Sequence, residues 1–164
     1  MKLGLFLLPL FLLLAQSSQA AAGGEPTVGF VVQLSVPGAF DAFAGEIANL
    51  GSETEVIENQ VLEPGGQTVI RKIPGRVKWL DVTLKRGLTS SLDLANWRKL
   101  VTDGNVTAAR KDVAIIVFDN ALNPVARWNL KNAWPSMISL EQKPDGTPVE
   151  VLRLVHEGMT RVKP

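Results

Sequence analysis

The feature that most limits what this chain can become is the spacing of its chain-breaking residues. Pro37-Gly38, Glu63-Pro64-Gly65-Gly66, Pro74-Gly75, Asp103-Gly104, Asp119 to Pro124 and Lys143-Pro144-Asp145-Gly146 interrupt the sequence again and again. Proline fixes φ and removes a donor, and glycine frees φ, so each pair ends a regular element. What lies between is short. The 14 Gly, 10 Pro and 46% hydrophobic content in 164 residues fit many short strands joined by turns, and not a helical bundle. The length suits one domain of ordinary size.

Periodicity fills in the segments. From Val28 to Val36, Phe30, Val32, Leu34 and Val36 share one face and Gln33 and Ser35 the other, the alternation of a half-buried strand. Ala39 to Leu50 is open. Phe40, Phe43, Ile47 and Leu50 fit a helical face, but Gly45 and the short length suit a strand or an irregular connection equally. Glu53 to Leu62 has the Val/Ile content of a strand with imperfect alternation. Thr68 to Ile73 and Val77 to Leu84 flank Pro74-Gly75 and predict a hairpin or one kinked strand. Leu94, Trp97 and Val101 behind Thr89-Ser90-Ser91 predict the one clear helix, about residues 91 to 102. Asp112 to Phe118 is apolar on both faces and reads as a central strand. Val125 to Asn132 alternates Ala126, Trp128 and Leu130 against Arg127, Asn129 and Lys131. A further extended piece is expected over Ser136 to Gln142, and a last strand over Val149 to Glu157, before a polar tail. The tally is seven or eight strands and one helix, a mainly β fold.

Composition removes several kinds of chemistry. The absence of cysteine rules out disulfides, thiol catalysis, zinc ribbons and iron–sulfur clusters. One histidine, His156, excludes a multi-His metal site. A net charge of +1 gives no nucleic-acid footprint. Phosphate-binding glycine loops and the G-x-S-x-G elbow are absent. A hydrolase would have to use His156, which lies in a predicted strand with no serine in a nucleophile context; a structural or interface role suits it better. Glu53, Glu55 and Glu58 could pair for acid–base work but read as a solvated strand face. Asn105-Val106-Thr107 fits a glycosylation sequon, which has meaning only in a eukaryotic secretory setting. Arg71, Lys72, Arg76, Lys78, Lys85 and Arg86 form the densest basic run, either a patch for an acidic partner or outward strand positions that discourage edge pairing. Trp79, Trp97, Trp128 and Trp134 suit a core better than a ligand platform.

Residues 1–20 stand apart. Lys2, an apolar run from Leu3 to Ala15, and small residues at Ser18 and Ala20 have the layout of a secretory signal peptide cleaved near Ala20. The run is short for a membrane span, which needs about 20 apolar residues. Residues 21–27 read as a flexible lead-in, and 28–162 as the folded domain. The alternative is a misassigned start nearer Val28.

Three blocks then point one way. Val82-Thr83-Leu84-Lys85-Arg86-Gly87-Leu88-Thr89 with Trp97-Arg98-Lys99 and Gly104, the run Ala126-Arg127-Trp128-Asn129-Leu130-Lys131-Asn132-Ala133-Trp134-Pro135, and Leu154-Val155-His156-Glu157-Gly158-Met159 resemble, in order, blocks of phage tail tube proteins. The match covers about residues 28 to 162. That family serves contractile phage tails and phage-tail-like extracellular contractile injection systems, and is similar to the type VI secretion tube protein, Hcp. The resemblance implies a small β-barrel or two-sheet sandwich with a flanking helix, no catalytic residues, no cofactor and no metal. It implies hexameric rings stacked into a hollow tube, with sheath, baseplate and spike proteins as partners and membrane contact only through the leader. Lys85, Arg86, Gly87, Trp97, Arg127, Trp128, Asn129, Asn132, Ala133, Trp134, Pro135, His156, Glu157 and Gly158 would be structural or subunit-contact residues: Trp97 anchoring the helix, Trp128 and Trp134 filling the core or ring interface, Gly87 and Gly158 permitting turns. The leader departs from the pattern, because the family implies cytoplasmic assembly into a virion-like particle and the leader implies export. An exported, tube-derived β-domain acting as a soluble binding or effector module is the alternative.

Overall fold

The computed structural model describes residues 30–164; the leader and lead-in lie outside the described residues. Among the described residues ten strands and two helices follow in order: β1 (Val31–Val36), β2 (Phe40–Ala44), β3 (Glu46–Ala48), β4 (Ser52–Leu62), β5 (Thr68–Trp79), β6 (Val82–Gly87), α1 (Asp93–Thr102), α2 (Val106–Ala109), β7 (Lys111–Phe118), β8 (Pro124–Gln142), β9 (Pro148–Val155) and β10 (Gly158–Val162). Eight strands form the body in the order β2-β1-β7-β8-β9-β6-β3, with β10 added on β8. Every pairing is antiparallel. Among the described residues, β4 and β5 pair only with each other.

One strand makes the body. β8 is 19 residues long. Its first half pairs with β7 and β10, and its second half with β9. Three register shifts, near Val125, near Asn132 and near Ser136, each place the extra residue on β8. Such bulges bend a strand and increase its twist, so β8 turns from one sheet into the other. The result is two facing layers. The hydrogen-bonded path ends at β2 and β3, which follow each other through Gly45 but share no ladder. The closed barrel is therefore not what forms; the two-sheet arrangement is.

The core lies between the layers. Val32, Leu34 and Val36 of β1, Val113 and Ile115 of β7, Leu130 and Ala133 of β8, Leu152 and Leu154 of β9, and Val82 and Leu84 of β6 are all buried. Burying a side chain of this size is worth about 1.5–3 kcal/mol. The alternations read in Val28–Val36 and Val125–Asn132 fall on the expected faces from Val32 onward, whereas Phe30, ahead of β1, is exposed. α1 inserts Leu94 and Trp97 into this core. The Trp97 indole N–H donates to the Ala109 carbonyl at 2.7 Å, and its ring meets Phe40 edge-on at 5.8 Å.

Several expectations change. The ambiguous 39–50 segment is two strands, with Ala42 and Ala44 buried by alternation. Of the two readings of Pro74-Gly75, the hairpin fails and the kinked strand holds: β5 runs through it, with a bulge where Gly75 and Arg76 stand opposite Glu55 alone. A Cβ on Gly75 would lie 3.1 Å from the Ile57 side chain, so glycine is needed for close approach. Ser136–Gln142 is a continuation of β8. The polar tail contains β10, and a single-turn helix, α2, precedes β7. Gly87 and Gly158 end and begin strands without positive φ, so neither is required by a turn.

Candidate assembly interface

Three body regions hold the motif residues. The first is the crossover of β8. Asn132 sits at φ 49°. Its N–H donates to Asp112 Oδ1 at 2.9 Å and its Nδ2 to Glu157 Oε2 at 2.6 Å. Glu157 also pairs with Arg110 at 3.4 Å and gives its backbone N–H to the Lys131 carbonyl at 3.0 Å. Asn132 and Glu157, far apart in sequence, thus tie the bend of β8 to the turn before β10. His156, beside them, is buried; its Nδ1 donates to the Gly158 carbonyl at 3.1 Å, and its Nε2 has no hydrogen-bond partner among the described residues.

The second region is the seat of α1. Trp97 is buried, and Arg98 donates to the carbonyl of buried Pro135 at 3.2 Å. Ala133 is fully buried, while Trp134 and Trp128 are half-buried. The Arg161 guanidinium lies over the Trp128 ring at 5.3 Å. Arg127 donates to Asn129 Oδ1 at 3.2 Å on the opposite face of β8.

The third region is the outer end of the β6–β9 layer. Lys85 reaches Glu141 at 2.8 Å, Lys143 reaches Glu46 at 2.7 Å, and Arg86 reaches Glu150 at 2.6 Å. The Lys143 ammonium bonds Glu46 and holds its carboxyl below the ordinary range, and the Glu141 bond raises Lys85. Lys85 and Arg86 are therefore ion-paired within the body and do not join Arg71, Lys72, Arg76 and Lys78 in one basic patch. Those four lie on β5.

β4 and β5 make up the most unusual feature, a projecting arm. It leaves the body between β3 and β6, where the Leu80 N–H donates to the Gly51 carbonyl at 3.1 Å. At its base the Trp79 ring tilts against His156 at 5.9 Å between centroids. Beyond that neck the arm is exposed along nearly its whole length. The register puts Val56, Leu62 and Ile70 on one face and Ile57 and Ile73 on the other. All five are exposed, from 45% for Ile73 to 69% for Leu62. Large aliphatic side chains on both faces of a two-stranded ribbon have no core to enter; contiguous apolar surface of this kind marks interaction sites. The imperfect alternation in Glu53–Leu62 was the sequence signal for it: a strand that the described residues cover on neither face.

Among the described residues no group of three or more His, Cys, Asp or Glu is placed to hold a metal ion. Glu53, Glu55 and Glu58 spread along β4. No described helix is long and apolar enough to cross a membrane.

A bent two-sheet β body, one seated helix and a bare apolar arm define a subunit shape whose exposed surface suits assembly. The family signature described as "T4-like virus tail tube protein gp19" matches residues 26–160, and the chain belongs to that tail tube family. Solved structures agree on the fold. A chain of the anti-feeding prophage baseplate, 6-fold symmetrised, superposes with TM-score 0.62 at 19% identity, covering 85% of this chain and 97% of that one. A chain of the sheath–tube complex of an extracellular contractile injection system, PVC, in its extended state gives 0.62 at 17%, covering 88% and 95%. Hcp1 from Flavobacterium johnsoniae gives 0.52 at 13%, covering 80% and 94%. A search of curated proteins finds no match.

Proposed function

We propose that this chain is the structural, non-enzymatic subunit of the inner tube of a contractile injection machine, closing with copies of itself into hexameric rings that stack. The observation that carries the reading is the arm. A subunit that worked alone would leave Val56, Ile57, Leu62, Ile70 and Ile73 in water, whereas a subunit packed among copies covers both faces of the ribbon. Family membership and the 6-fold assembly in which a similar chain is found support six copies per ring. Sheath, baseplate and spike proteins are the partners that follow, two of them named with the similar chains. The motif residues keep the body rigid at the bend of β8 and the seat of α1, so that the arm projects in a fixed direction. Residues 28–162 act as the assembling domain.

Met1–Ala20 favours a second reading, an exported tube-derived domain that binds a partner as a soluble module. Negative-stain imaging of purified residues 24–164, together with N-terminal sequencing of the native protein, separates the two. Rings or tubes are expected. A product that stays monomeric at high concentration, and is recovered outside the cell with a processed N-terminus, overturns the tube reading in favour of the second.

A further inference from the structure

The charges of the arm are sorted by strand. β4 carries Glu53, Glu55 and Glu58 and no Lys or Arg. β5 carries Arg71, Lys72, Arg76 and Lys78 and no Asp or Glu. Each strand has one edge in the β4–β5 ladder and one edge with no partner strand among the described residues. The arm therefore has an acidic flank 11 residues long and a basic flank 12 residues long.

Two ordinary purposes do not account for this sorting. Inside the arm, acid and base meet across the ladder: Glu58 pairs with Lys72 at 3.6 Å, Glu63 of the connecting turn with Arg71 at 3.3 Å, and Glu53 stands opposite Lys78. Cross-strand pairs of this kind are satisfied just as well when each strand carries both signs. Edge protection needs charge but not one sign per edge. Sorting does something else. It makes two β4 flanks repel, two β5 flanks repel, and a β4 flank attract a β5 flank.

Resting on the tube-subunit reading, we propose that neighbouring copies join arm to arm, the acidic β4 flank of one lying along the basic β5 flank of the next. Copies related by a rotation about an axis parallel to the arm carry their arms in the same direction. β4 of one copy then runs antiparallel to β5 of its neighbour, as it does to its own β5. The contact is head-to-tail, the type that closes into a ring, and the charge rule forbids the self-complementary two-fold dimer. Backbone groups of the two free edges supply the attraction, and the charges choose the partner. Pro74, with no N–H to give, and the bulge at Gly75 and Arg76 divide the β5 flank into two segments.

Two charge-reversed full-length chains test it. E53K/E55K/E58K makes both strands basic, and R71E/K72E/R76E/K78E makes both acidic. A third chain carries all seven changes and so exchanges the flanks. Each of the first two is expected to lose assembly alone in sedimentation and electron microscopy. Their equimolar mixture regains it with alternating copies, and the exchanged chain assembles by itself. Assembly of either reversed chain alone at the wild-type concentration overturns the proposal. So does a mixture that stays monomeric while the exchanged chain assembles, since the loss then came from pairs broken inside each arm. A wild type that forms no ring, alongside a mixture that still associates, sinks the tube reading and leaves arm pairing standing.

Discussion

Asn132 is where the chain spends conformational energy to turn a corner. A non-glycine residue in the left-handed region costs about 1–2 kcal/mol, and asparagine is among the few that tolerate it. Here the strain is offset by two bonds, backbone N–H to Asp112 and side-chain amide to Glu157. The two contributions separate by substitution. Asn132→Gly keeps the backbone geometry at no steric cost and loses the side-chain bond. Asn132→Ala loses the bond and keeps the penalty. Urea unfolding should therefore rank wild type above Asn132→Gly, and Asn132→Gly above Asn132→Ala by about 1 kcal/mol. An alanine variant as stable as the glycine variant would remove backbone strain from the account. The side chain at 132 could be picked out from the sequence as part of a recurring block, but its left-handed backbone could not, because the bulge that demands it depends on which strands flank β8.

At the scale of elements, the pairs across the β6–β9 layer tie its edge strand to its far side. Lys143, beyond the end of β8, reaches Glu46 on β3, and Lys85 on β6 reaches Glu141 on β8. The signs follow from the shifts. Glu46 is lowered, so its contribution is present above the ordinary glutamate pKa and is lost as pH falls through its folded value. Lys85 is raised, so its contribution is complete below the ordinary lysine pKa and disappears only as pH rises through its still higher folded value. Both pairs are solvent-exposed and weak in salt. A small acid-side decline in melting temperature is expected, partly removed by Glu46→Gln, with no change between neutral pH and the lysine range. An acid-side slope identical in Glu46→Gln would show that Glu46 takes no part. Elements were legible where burial within the chain decides: β1, the first half of β8 and α1 follow from periodicity, and β7 from an apolar run on both faces. They were illegible where tertiary pairing decides. β2 and β3 carry helix-like spacing, yet Ala42 and Ala44 alternate into the core because β1 offers an edge. Pro74-Gly75 left a hairpin and a kinked strand open by composition, and only the ladder with β4 on both sides decides for the strand. β10 was hidden in a polar segment because an edge strand needs little apolar content of its own.

For the whole molecule, the division is between a body that satisfies itself and an arm that does not. The body's core draws on strands from both layers and on α1, and includes no side chain of β4 or β5. The neck is already closed by the bond between Leu80 and Gly51, which is the geometry of a hairpin's last rung. Residues 52–79 can therefore be replaced by a tight Asn-Gly turn, whose backbone matches the twist of paired strands. The shortened chain should unfold cooperatively, with a urea midpoint near that of the parent monomer, because what is removed buries little. The contact of Trp79 with His156 is lost at the base, and its loss uncovers a buried imidazole. Adding His156→Phe to the shortened chain replaces that polar ring with an apolar one and isolates the cost. Assembly should respond in the opposite way: no rings at any concentration, although the folded body and every motif residue outside the arm remain. Rings formed by the armless body would place the assembling surface on the sheets themselves, and the bare aliphatic ribbon would need another partner.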